Sequence, residues 1–205
     1  MLTDADAEAF ECCLAQDGVA LFPADTVYGL ACDPESAVAV RRLYELKGRP
    51  ASKPAAVMFF ALQSALDALP EVGQRTRDVL GVLLPGALTV LLANPRERFA
   101  PACGSEPATL GLRVPVLVPP IAGLRAVRRA VLQSSANLAG EPDARTLDQV
   151  NPALRSAADL VLDGGVLPGT PSTVVDLRAY EGSGGWAVLR EGAVARDALA
   201  AVLGG

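Results

Sequence analysis

Pro23-Ala24-Asp25-Thr26-Val27-Tyr28-Gly29-Leu30, followed by Lys47-Gly48-Arg49-Pro50-Ala51-Ser52-Lys53-Pro54, is the stretch around which the rest of the 205-residue chain reads. Val19 to Phe22 is an apolar run of strand length that Pro23 breaks, so Asp25 and Thr26 belong to a tight connection at a strand end. In α/β sheets, sites are built at such ends.

Asp33-Pro34 reads as an N-cap followed by proline in the first helical turn, where its missing N–H costs nothing. Ala37, Val40, Leu43 and Tyr44 recur at helical spacing, with Arg41 and Arg42 opposite. The helix should end near Gly48, with Lys47 in its last turn, and deliver Arg49 and Lys53 to a proline-pinned loop. Two readings of that loop stand side by side. Three cations set among Gly, Pro and Ser suit a polyanion such as a triphosphate; equally, a basic last turn complements the helix dipole and leads into a solvated loop. As exposed cations, Lys47 and Arg49 would contribute little to folding stability.

The bulk properties narrow the chemistry. Hydrophobic residues make up 51% and charged residues 20%, which excludes a disordered chain, and the length fits one domain, residues 1–205. A formal net charge of -5 opposes non-specific binding of nucleic acid unless a local basic cleft overrides it. The chain contains no histidine, so histidine-based bases, triads and metal sites are excluded and catalysis must use carboxylates, lysine, hydroxyls, backbone or the substrate. Cys12, Cys13, Cys32 and Cys103 lack Cys-x-x-Cys spacing and read as buried thiols of a reducing compartment. No signal sequence opens the chain, and the most apolar run, Val79 to Ala93, is interrupted by Pro85-Gly86. A soluble cytoplasmic protein without membrane contact is expected.

In chain order, Thr3 and Asp4 cap a first helix that turns Phe10, Cys13 and Leu14 inward and ends at Gly18. Ala55 to Phe60 reads as a strand, Leu62 to Leu69 and Arg75 to Leu83 as helices, Leu88 to Leu92 as a strand, and Arg96 to Pro107 as a surface loop. Thr89 is left outside the site, its block serving as a helix-to-strand turn. Thr109 to Val114 is an alternating strand in which Arg113 is the exception. A buried guanidinium wants a carboxylate, either an internal Asp or Glu or one on a ligand. Pro120 to Ala130 is expected to be a helix with Arg125, Arg128 and Arg129 outward. Val131-Leu132-Gln133 leads as a strand into Ser134-Ser135-Ala136-Asn137, which suits either phosphate binding or ordinary turn chemistry. Thr146 to Ala157 reads as one or two short helices and Asp159 to Leu162 as a strand. Thr170-Pro171-Ser172-Thr173 brings hydroxyls to the start of the Val174-Val175 strand. Trp186 to Leu189 is the last strand, with Arg190 at its exit, and Arg196 to Leu203 a closing helix.

The opening stretch resembles the signature of the YrdC-like threonylcarbamoyl-AMP synthase family. The likeness continues at Leu84-Pro85-Gly86-Ala87-Leu88-Thr89, Leu110-Gly111-Leu112-Arg113-Val114-Pro115, Ser134-Ser135-Ala136-Asn137-Leu138-Ala139-Gly140-Glu141-Pro142, Pro171-Ser172-Thr173-Val174-Val175-Asp176 and Val188-Leu189-Arg190, spanning most of the chain in the family's order. It implies an α/β, single-domain YrdC-like fold: a twisted mixed β-sheet flanked by helices, with an open concave cleft. It further implies a cytoplasmic nucleotidyltransferase that condenses L-threonine, bicarbonate or carbon dioxide and ATP into threonylcarbamoyl-AMP and pyrophosphate, for threonylcarbamoyladenosine in tRNA. ATP would be a substrate with Mg2+ on its phosphates, and no protein metal site is expected.

Carried over residue by residue, Thr26, Arg113, Ser135 and Ser172 would hold threonine. Lys47, Arg49, Lys53, Thr109, Asn137 and Arg190 would face ATP, with Lys47 and Arg49 stabilising charge in the transition state. The product would pass to tRNA threonylcarbamoyl-transfer proteins, with tRNA binding by this chain weak or absent. Ala24, Pro171, Glu191 and Met58 depart from residues common in the family, and Met58 would make the amino-acid pocket less polar. The chain is also expected to lack the linker and extra C-terminal domain of longer relatives. Two other readings are an RNA-binding paralogue without synthase activity and a carbamoyl-transfer module acting on another substrate. The acidic balance and the complete Lys47, Arg49, Ser135 and Asn137 set favour the synthase.

Overall fold

In the computed structural model, residues 1–204 are described, and among them nine strands form one mixed sheet. Helix α1 (Asp4–Ala15) begins at a capping box in which Thr3 Oγ1 accepts from Asp6 N and the Asp6 carboxylate accepts from Thr3 N. Strands β1 (Ala20–Pro23) and β2 (Tyr28–Cys32) form an antiparallel hairpin whose turn carries Asp25 and Thr26. Helix α2 (Ala37–Lys47) starts three residues later than the Asp33-Pro34 reading. Ser36 caps it by accepting from Ala39 N, while the Asp33 carboxylate accepts from Glu35 N in a local turn. The helix ends at Gly48, whose φ of 58° is the left-handed conformation a helix C-terminus favours and glycine adopts without strain.

Strand β3 (Ala56–Met58) follows, then α3 (Leu62–Ala68), α4 (Gln74–Leu83) and β4 (Leu88–Ala93). The Arg96–Pro107 region includes the short α5 (Ala100–Cys103) before β5 (Thr109–Arg113). The expected Pro120–Ala130 helix is only a 3-10 segment, Ala122–Ala126, although Arg125, Arg128 and Arg129 do face outward. Next come β6 (Val131–Ser135), α6 (Pro152–Ala157), β7 (Leu160–Val161), β8 (Thr173–Asp176), α7 (Tyr180–Ser183), β9 (Ala187–Arg190) and α8 (Arg196–Leu203). The sheet order is β7-β1-β2-β6-β3-β5-β4-β8-β9, with parallel pairs β1/β7, β3/β5 and β4/β8. Among the described residues no helix is long and apolar enough to cross a membrane.

Strand alternation creates two faces. Leu21, Leu30, Val57, Val90, Leu112 and Leu132 point to one, where Leu43 of α2, Leu80 of α4 and Leu199 of α8 complete the larger core. Phe22, Ala31, Met58 and Val131 point to the other, under Phe10 and Leu14 of α1 and Leu124 of the 3-10 segment. The Phe10 ring lies 5.2 Å from Phe22 and 6.0 Å from Phe60, so full burial of these rings docks α1 with about 2–3 kcal/mol per side chain. Met58 is therefore core, not pocket lining. Cys32 and Cys103 are buried thiols as expected, whereas Cys12 is exposed and Cys13 partly so.

That second layer stops short. α1 and the 3-10 segment cover one end of the face, and Gln133, Gly111, Thr109, Thr89 and Val174, on the same side of the sheet, line an open cleft.

Candidate active site

The cleft holds about 510 Å³. Four arginines (Arg49, Arg113, Arg178 and Arg190) and two carboxylates (Glu106 and Asp143) are among its lining residues. Arg113 and Arg178 are paired with Asp25 and Asp176, which leaves Arg49 and Arg190 without a carboxylate partner to face an anion.

Arg113 occupies its floor. Its Nη2 donates to Asp25 Oδ1 at 2.7 Å, with both side chains only 5% exposed, and its Nη1 donates to Gln133 Oε1 at 3.0 Å. Thr26 Oγ1 lies 3.4 Å from Nη2. The internal carboxylate that the strand pattern left open is thus Asp25, supplied by the β1–β2 turn. Burial lowers the Arg113 pKa and the Asp25 charge opposes that shift. Nε is buried without a partner. Gly29 makes this arrangement possible, since a Cβ there would lie 2.8 Å from Gln133 Nε2.

Ser172 and Thr89 stand together across the β8/β4 pair. Their hydroxyls are 2.9 Å apart, and Arg190 Nη2 donates to Ser172 O at 2.8 Å and Oγ at 3.3 Å. Thr89 belongs in the cleft, contrary to its reading as turn scaffold; its place between the buried Leu88 and Val90 on an alternating strand was the available signal. Arg178, Gln133 and Asp143 were also missed. Arg178 chelates the Asp176 carboxylate at 2.7 to 3.1 Å and donates to Thr109 Oγ1 at 3.3 Å. No motif marked it.

The cations after α2 diverge. Arg49 reaches the cleft, donates to Pro54 O at 2.6 Å and stacks 5.7 Å from the Tyr44 ring centroid, with Nε buried and unpartnered. Lys47 turns the other way. It is 3% exposed, and its Nζ donates to Ser135 O, to Asn137 O at 2.8 Å and to Asn137 Oδ1 at 3.2 Å. Burial, and next the Arg49 charge, push its pKa down to about 8, so the ammonium is the majority form at pH 7. The exposed placement expected of Lys47 does not hold: it clamps the Ser135–Asn137 loop. Lys53 is exposed on its loop, outside the cleft lining. Asn137 is likewise outside the lining, its Oδ1 accepting from Ser135 Oγ at 2.6 Å and its Nδ2 donating to Glu141 O at 2.6 Å.

Thr26, Arg49, Thr109, Arg113, Ser135, Ser172 and Arg190 are therefore brought together, while Lys47, Asn137 and Lys53 are not. The cationic loop itself is anchored from outside, Ser52 O accepting from Ser105 N at 3.1 Å and Oγ at 3.0 Å.

The chain is similar to known proteins in sequence and in fold. A family model for Sua5/YciO/YrdC, described as telomere recombination, matches residues 12–192. A threonylcarbamoyl-AMP synthase of Xanthomonas campestris pv. campestris (strain B100) is 35% identical over 173 residues, 78% of this chain and 87% of the relative. A threonylcarbamoyl-AMP synthase of Bacillus subtilis (strain 168) is 28% identical over 196 residues, 93% of this chain, which spans only 54% of that relative. The crystal structure of P. abyssi Sua5 complexed with L-threonine superposes with a TM-score of 0.84 at 24% identity, covering 100% of this chain and 59% of that one. That likeness is one of fold. With the matched model covering most of the chain and the same mixed sheet beneath the cleft, this chain belongs to the Sua5/YciO/YrdC family.

Proposed function

We propose that the chain acts as a single domain and is an L-threonylcarbamoyladenylate synthase, joining L-threonine, carbon dioxide or bicarbonate, and ATP into threonylcarbamoyl-AMP and pyrophosphate. The observation that carries the reading is the convergence, in one cleft, of the Arg113 guanidinium with the hydroxyls of Thr26, Ser135 and Ser172, and of Arg49 and Arg190. Relatives named threonylcarbamoyl-AMP synthase and the threonine complex of P. abyssi Sua5 support it.

In this reading the threonine carboxylate meets the Arg113 guanidinium, and Thr26, Ser135 and Ser172 surround the rest of the amino acid. Thr109, Arg49 and Arg190 face the nucleotide. The threonine amine becomes a carbamate whose oxygen attacks the α-phosphorus, and Arg49 stabilises charge as pyrophosphate leaves. Lys47 and Asn137 contribute by holding the Ser135 loop, and Lys53, exposed on its loop outside the cleft lining, faces the polyphosphate from the cleft's edge. Magnesium arrives on the nucleotide phosphates. The product would pass, in the cytoplasm, to proteins that transfer the group to tRNA, which this acidic chain itself binds weakly.

Calorimetry tests the reading. L-threonine should bind in the presence of a non-hydrolysable ATP analogue, and each should tighten the other because carbamate and α-phosphorus must meet. Absence of threonine binding with and without the analogue, alongside retention on RNA, would replace the synthase by an RNA-binding paralogue.

A further inference from the structure

Glu106 and Asp143 line the cleft, and among the described residues neither carboxylate makes a hydrogen bond or a close ion pair, although the Asp143 charge acts through space on Lys47 and that of Glu106 on Arg178. The neighbouring acidic groups are engaged, Asp25 by Arg113 and Asp176 by Arg178. The two free carboxylates sit far apart. Glu106 is exposed beside β5, its carbonyl accepting from Thr109 N at 2.9 Å. Asp143 is half-buried beside β2, and β6 and β3 separate these two strands in the sheet, a distance of about 14 Å at ordinary strand spacing.

Backbone bonds place Asp143 in the amino-acid half. Tyr28, two residues after Thr26, donates its N–H to Ala144 O at 2.9 Å and accepts from Ala136 N at 2.8 Å. Tyr28 thereby gathers the neighbours of Thr26, Ser135 and Asp143 at one point. A substrate whose carboxylate meets Arg113 carries an ammonium into this same half, and an ammonium in a partly desolvated site requires an anion. The chain has no histidine to take its proton, and the Lys47 ammonium already faces three oxygen acceptors.

We infer that Asp143 holds the ammonium of the amino-acid substrate and accepts its proton. The inference rests on the synthase reading above and names the base that reaction needs. One N–H proton moves from the ammonium to an Asp143 carboxylate oxygen. The freed nitrogen lone pair bonds to the carbon of carbon dioxide while a C=O π pair moves onto oxygen. The N-protonated carbamate then gives its second proton to water, leaving the carbamate anion, a protonated Asp143 and a hydronium ion.

Asp143→Asn isolates the charge. Since the side chain makes no hydrogen bond or close ion pair and acts on Lys47 only through space, the variant should melt within about 2 °C of wild type. Calorimetry with the non-hydrolysable ATP analogue should show threonine binding weakened about tenfold or more, the scale of losing a charge-assisted contact. Binding of 2,3-dihydroxybutanoate, which replaces the ammonium by a hydroxyl, should stay within twofold of wild type, as should nucleotide affinity. Asp143→Ser should give the same split, and Glu106→Gln should leave threonine affinity unchanged. Equal threonine affinity in wild type and Asp143→Asn overturns the inference. So does a tenfold gain in nucleotide affinity with threonine binding unaltered, which would place Asp143 against phosphate. If wild type itself binds no threonine, the synthase reading fails, and the inference with it, before any variant is compared.

Discussion

Replacing Lys47 by methionine keeps an unbranched side chain one atom shorter and removes its charge, and the structure allows the cost to be worked out. The ammonium holds Ser135 O, Asn137 O and Asn137 Oδ1 from a position 3% exposed. Losing three charge-assisted bonds at somewhat over 1.5 kcal/mol each costs about 5 kcal/mol. Relief from burying a charge opposes this, on the order of 3 kcal/mol for a lysine pushed from 10.5 to about 8. The net of about 2 kcal/mol should lower Tm by about 4–8 °C in a chain of this length. Thermal melts at pH 7, run beside adenylate formation, give the answer. Arg49→Ala, which loses one bond to Pro54 O and the stacking on Tyr44, should melt closer to wild type yet lose adenylate formation by about 10²-fold. A Lys47→Met protein that melts within 1 °C of wild type while losing activity would refute the clamp and return Lys47 to the role of a phosphate ligand.

The Lys47 shift also makes a pH prediction. Between pH 8 and pH 10.5 the unfolded chain keeps a proton on Lys47 that the folded chain has released, so the unfolded state binds more protons and stability rises with pH. The stability difference between wild type and Lys47→Met should therefore widen across that window in denaturant titrations; a difference that stays flat or narrows contradicts the lowered pKa. At the cleft floor, Asp25→Leu should destabilise by about 3–5 kcal/mol because it strands the buried Arg113 charge. Arg113→Lys keeps the charge and should cost less stability, yet weaken threonine binding far more than nucleotide binding, since an ammonium cannot reproduce the guanidinium fork. Equal losses for both ligands would make Arg113 a structural ion-pair partner alone.

Local chemistry was legible in the chain by itself. Periodicity and punctuation placed the helix ending at Gly48, the strand that carries Arg113 and the hydroxyls before Val174, because these depend on neighbours within a few residues. The absence of histidine limited the possible bases, and the recurring blocks pointed to the family that the comparisons bear out. Boundaries were less legible where two caps compete, as at Asp33 and Ser36, since both side chains satisfy backbone donors locally. The direction of a side chain was decided only by the tertiary structure. Lys47 and Arg49 are two residues apart, yet one ends under the Ser135–Asn137 loop and the other in the cleft, because the oxygens that solvate Lys47 lie on a strand exit 88 to 90 residues away. The same is true of Asp25 and Arg113, separated by 88 residues and joined only when the β1–β2 turn folds over β5. A buried charge must take its partner wherever the sheet brings one, and sheet order is a property of long-range pairing that no local window contains.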